Sequence, residues 1–218
     1  MHSLIRPTRT TRLFLLTLAV VLLPGCAAKA SPAELEQLVE VLRLQPGMHV
    51  ADVGAGDGEW SEKLLREVGP TGHAYSTEVD EDDLNGIRER LESTGLDNFT
   101  VLLGDQESIG LPDDCCDAIL LRLVYHHFTD PPKMRESLLG ALRDGALLLA
   151  VEITPQSGWN PLDGVPERDG HGISMDDLVD EMTADGSFEV VTRFDDWEGD
   201  DDHFGVVFRR PASGRTDP

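Results

Sequence analysis

The sequence is short of cysteine, of positive charge and of long apolar runs, and each shortage removes a class of protein. Three cysteines in 218 residues, Cys26, Cys115 and Cys116, cannot build a disulfide framework. A bridge between the adjacent Cys115 and Cys116 would be strained, so two free thiols without a catalytic part are expected at a loop-to-strand junction. Only 18 Lys and Arg stand against 41 Asp and Glu. That balance excludes a general nucleic-acid binder, whose phosphate contacts are built from excess positive charge, and the acidity reads as solvated surface. The longest largely apolar run, residues 13–23, is shorter than the roughly 20 residues a spanning helix needs.

What is present starts with that run. Arg6, Arg9 and Arg12 precede it, and together they read as a secretory signal over residues 1–25. Leu23-Pro24-Gly25-Cys26 resembles a bacterial lipobox, which makes Cys26 a lipidation candidate. The expected location is therefore outside the cytoplasm, in the periplasm or cell envelope, with membrane contact only through the signal or a lipid anchor. Residues 26–210 then read as one domain and 211–218 as a disordered tail.

Inside the domain, strands alternate with helices. Ser31-Pro32-Ala33-Glu34 is a helix start, with Ser31 as N-cap, Pro32 at the first helical position and Glu34 closing a capping box. Strands are expected at 49–53, 73–77, 99–103, 117–124 and 146–153, with helices between them. A helix from Ser174 and a hairpin of 188–194 with 204–209 follow. This is the pattern of a Rossmann-like, doubly wound α/β sheet of seven strands with a C-terminal antiparallel hairpin. The run Val50-Ala51-Asp52-Val53-Gly54-Ala55-Gly56-Asp57-Gly58 reads as a buried strand that turns sharply under a ligand and enters a helix. Glu78 stands 20 residues after Gly58, the spacing at which such folds set a carboxylate against a ribose diol. Asp105-Gln106 ends the third strand, where a polar side chain can read an adenine edge.

The order of these motifs resembles the class I S-adenosylmethionine-dependent methyltransferases over roughly residues 31–210, in the small, exported, lipoprotein-like subgroup with a Tyr-His pair after the fourth strand. The resemblance implies S-adenosylmethionine as cofactor. It further implies that the backbone of Gly54, Gly56 and Gly58 lines the methionine part with Asp52 orienting it, that Glu78 holds the ribose, and that Asp105 and Gln106 meet the adenine. Glu59 occupies the place where a nicotinamide fingerprint needs its last small residue, which disfavours that cofactor. The Asn-Pro-Pro-Tyr motif of amino-group methylation is replaced by Arg122-Leu-Val-Tyr-His-His127.

Ligands of such sheets bind beyond the carboxyl ends of the strands. His126 and His127 follow the fourth strand, His171 lies in the Pro- and Gly-rich segment 154–173, and His203 starts the final strand. The four can converge, and one can act as general base toward a small-molecule methyl acceptor. Tyr125 reads equally as a stacking group or a core aromatic. Three histidines with Glu152 or Asp169 could bind zinc, but none sits in a tight ligand motif, so no metal ligand is assigned. The cofactor is made in the cytoplasm, so an exported ligand- or metal-binding lipoprotein without turnover stands as the alternative.

Overall fold

The computed structural model describes residues 31–157, 164–168, 170–199 and 201–212. The signal and lipidation readings, the tail from residue 213 and Asp169 lie outside these residues. Among the described residues five α-helices and seven strands follow one another as α1 Pro32–Leu42, β1 His49–Val53, α2 Glu59–Val68, β2 His73–Glu78, α3 Glu81–Glu92, β3 Phe99–Leu103, β4 Cys116–Arg122, α4 Pro131–Ala141, β5 Leu142–Ile153, α5 Met175–Thr183, β6 Glu189–Phe194 and β7 His203–Arg209. The sheet order is β3-β2-β1-β4-β5-β7-β6. The first five strands in that order are parallel, and β7 runs antiparallel between β5 and β6. This is the Rossmann-like α/β sheet expected from the alternation.

The central strands read as continuous apolar runs because both of their faces are covered. Alternate residues of β4 serve opposite cores: Ile119 and Leu121 pack with Met134, Leu138, Leu178 and Phe208, whereas Ala118 and Leu120 pack with Leu38, Leu64, Leu65 and Ile87. Helices α4 and α5 thus cover one face and α1 to α3 the other.

At the start of α1 the Ser31 hydroxyl accepts the Glu34 N–H at 3.0 Å, as a cap should. The reciprocal half of the capping box is absent. The Glu34 carboxylate is buried and accepts instead from Arg122 Nε at 2.8 Å and Trp197 Nε1 at 3.1 Å. Tertiary donors win because a half-in Arg and an indole N–H need a partner more than a solvated helix start does.

Two further expectations are corrected. Helix α4 ends at Ala141, and Arg143-Asp144-Gly145 belongs to a longer β5, since Leu142 already pairs with Cys116 across a register shift. Cys115 and Cys116 are joined by a disulfide rather than free. Both are buried in the same core cluster, which keeps the two sulfurs on one side of the junction.

Candidate functional site

The strand order reverses between β1 and β4, and the turns leaving the carboxyl ends of β1 to β4 enclose a cavity of about 860 Å³. Its floor is the turn after β1. Gly54 N–H and Ala55 N–H both donate to Thr77 O, at 2.9 and 3.0 Å, pinning the turn to the end of β2. Gly54 has φ +71°, and a Cβ there would lie 2.3 Å from Val124 Cγ2, so only glycine fits. Gly58 takes a left-handed conformation as the N-cap of α2, with a Cβ position 3.3 Å from Ile87. Gly54 lines the cavity; Gly56 faces open space, and its N–H donates to Glu78 Oε2 at 2.9 Å.

Glu78 ends β2 and faces the cavity, with its other oxygen accepting from Val79 N–H at 2.7 Å. Asp105 and Gln106 line it from the end of β3. Asp105 Oδ1 accepts from the Glu107 and Ser108 amides, holding that loop in a tight turn. Val79 and Leu103 are exposed apolar side chains on the same wall, a surface suited to a flat base. Asp52 lies beneath the floor instead. It is buried and accepts from Ser61 Oγ at 2.6 Å, and burial pushes its carboxyl up to about 6 against the opposing Ser61 bond.

The far end of the cavity is built on one buried carboxylate. Glu152, fully buried near the end of β5, accepts from Val124 N–H at 3.0 Å and Tyr125 N–H at 2.7 Å through Oε1. Its Oε2 accepts from His126 Nδ1 at 2.5 Å. These bonds fix the 3₁₀ turn Tyr125–His127, which follows Leu123 at φ +57°. His171 arrives from 45 residues away on a two-bond bridge between its backbone and that of Gln156. The Nε2 atoms of His126 and His171 stand 3.2 Å apart, and the His127 ring centroid lies 4.0 Å from that of His126 and 5.3 Å from that of His171. Burial lowers His127 to about 4 and also lowers His171, the neighbouring imidazoles adding to both shifts. Of this trio, His127 faces the large cavity.

His203 takes a different position. It heads β7 opposite Ile153, its carbonyl accepts from Trp197 N–H, and it is outside the trio. Tyr125 is a core residue, fully buried, its phenol donating to Glu181 at 3.0 Å and held well above its ordinary pKa by burial and by the Glu181 charge. Sequence reasoning missed Arg168. Its Nη2 donates to both Glu181 oxygens at 2.9 and 3.0 Å, and its buried Nε and Nη1 have no hydrogen-bond partner among the described residues. No sequence motif marks it. Arg168 and the three histidines surround a second cavity of about 10 Å³, the room of a single water or ion.

Residues 44–197 match the family model described as a methyltransferase domain. The chain is similar to the ubiquinone/menaquinone biosynthesis C-methyltransferase UbiE of Vibrio campbellii, at 31% identity over 111 residues covering 50% of this chain and 43% of that protein. It is also similar to the demethylmenaquinone methyltransferase of Listeria monocytogenes, at 24% identity over 126 residues covering 57% and 53%. The matched part is thus about half the length of these relatives. Among solved structures, an S-adenosylmethionine-dependent methyltransferase from Aquifex aeolicus superposes with a TM-score of 0.65 and 26% identity, covering 83% of this chain and 94% of that one.

Proposed function

The chain belongs to the methyltransferase-domain family, whose members use S-adenosylmethionine, and from that premise we propose that it transfers a methyl group from this cofactor to a small-molecule acceptor. The carrying observation is the cavity at the strand-order reversal, with a glycine floor at one side and the Glu78 carboxylate at the other. The residues present fit the cofactor. Glu78 offers a carboxylate to a ribose diol, Val79 and Leu103 offer apolar contact to a base, Asp105 and Gln106 offer polar atoms at its rim, and Gly54 leaves the floor free of side chain. The cofactor supplies an electrophilic methyl group on a sulfonium.

In this reading the acceptor sits at the histidine end, where His127 borders the cavity, and the proton it loses leaves toward that cluster. Its being a small molecule is supported by the quinone-biosynthesis methyltransferases among the relatives and by the cavity's size. Export is the proposed location. The basic-then-apolar N-terminal stretch and Cys26 support it, as does a disulfide, a bond that persists in oxidising compartments.

Calorimetric titration of S-adenosylmethionine into the full chain tests the reading. Micromolar binding is expected, weakened at least tenfold in Glu78→Ala while the thermal midpoint of the unliganded protein stays within a few degrees. A folded wild-type chain that takes up no cofactor would overturn it.

A further inference from the structure

We propose that His126, His127 and His171 form a binding site for a divalent ion of the zinc class, with an open coordination position on the side of Arg168. The argument begins with distance. A tetrahedral zinc ion with Zn–N bonds of about 2.0–2.1 Å sets two ligating nitrogens about 3.3–3.4 Å apart. The Nε2 atoms of His126 and His171 are 3.2 Å apart, nearly that edge, and ligand-capable atoms of all three rings lie within 4.8 Å of one another. Coordination asks that the His127 ring swing toward the pair. Three imidazoles suit zinc, cobalt, nickel or copper rather than magnesium or calcium.

Orientation supplies the second line. Metal-bound histidines usually donate their other ring N–H to a carboxylate, which fixes the tautomer and aims the free lone pair. His126 has this arrangement. Its Nδ1 donates to Glu152, and its Nε2 points to His171. Glu152, once a candidate ligand, has both oxygens committed to the 3₁₀ turn and fits the supporting part.

The third line is room and charge. The cavity of about 10 Å³ among these rings holds one small species. Arg168 borders it with two buried nitrogens, Nε and Nη1, that have no partner among the described residues, and a second cation there is unfavourable unless an anionic oxygen lies between. An oxygen ligand on the ion's open position, hydroxide or carboxylate, meets that need and satisfies the guanidinium. The four groups come from two parts of the fold, the 3₁₀ turn after β4 and the segment that carries Arg168 and His171, and only His127 is shared with the cofactor cavity.

The test strips the full-length chain with chelator and titrates it with cobalt(II), then zinc. One equivalent of cobalt is expected to bind with a visible d–d band that zinc abolishes. His171→Ala should lower the affinity at least 100-fold with unchanged far-UV circular dichroism, and Glu152→Gln should lower it 10- to 100-fold. A folded wild-type chain without the band, or equal affinity in His171→Ala, would overturn the site. Should Glu152→Gln unfold, His171→Ala decides alone. S-adenosylmethionine titrations on the same samples keep this outcome separate from that of the methyl-transfer reading.

Discussion

Asp52 shows how a residue chosen for its place in a motif can act from beneath it. Its carboxyl is buried between the floor of the cavity and α2, with the Ser61 hydroxyl as its side-chain donor. Its pKa rises from an ordinary 3.8 to about 6, chiefly through burial. A folded value above the unfolded one means that the stabilising contribution is full below about pH 3.8 and is lost as pH rises through about 6. Asp52→Asn keeps the acceptor for Ser61 and removes the titration. Wild type should therefore lose on the order of 2 kcal/mol relative to Asp52→Asn between pH 4 and pH 7.5. Urea titrations of both proteins at the two pH values read the difference, and a constant gap would show that Asp52 is ionised throughout. Ser61→Ala removes the opposing hydrogen bond and should move the midpoint of the loss to higher pH.

At the scale of elements, the strands, the helices between them and the hairpin are legible in the sequence. Buried parallel strands read as apolar runs, and Gly and Pro mark their ends. What the sequence conceals are partners chosen by packing. Glu34 has a capping-box position, yet its donors lie 88 and 163 residues away on Arg122 and Trp197. The cysteine pairing was hidden likewise, because geometry at the head of β4 decides it. In the site, four histidines could be placed at one sheet edge from the strand order, but only packing selects three and supplies Arg168. The Glu34 case yields a discriminating prediction. A cap worth about 1 kcal/mol is lost in Ser31→Ala. Glu34→Ala strands a largely buried guanidinium, its side chain 16% exposed, together with an indole N–H, and breaking such a pair costs about 3–5 kcal/mol. Chemical denaturation of the two variants should separate them by at least twofold in stability loss. Equal losses would mean that Glu34 serves only the helix start.

For the whole molecule, charge decides the response to salt. The formal net charge is −23, and like charges spread over one domain repel in the folded state more than in the expanded chain. Opposing this are exposed pairs such as Arg66 with Glu62 and Lys133 with Glu107, which salt weakens. Such exposed pairs contribute little, because water already screens them and ordering two long side chains costs entropy. The acids outnumber the Lys and Arg by 41 to 18, so repulsion among them exceeds what such pairs offset. Pairs set deeper, such as Glu34 with Arg122 and Glu181 with Arg168, are half-shielded from salt by their burial. Screening therefore relieves more repulsion than it removes attraction. The Debye length shrinks from about 30 Å at 0.01 M to about 8 Å at 0.15 M, which spans the size of the domain. The thermal midpoint should rise by several degrees over that interval of sodium chloride and flatten beyond it. Scanning calorimetry at fixed pH measures this directly, and a midpoint that falls with added salt would mean that the ion pairs, not the net charge, govern the stability of this fold.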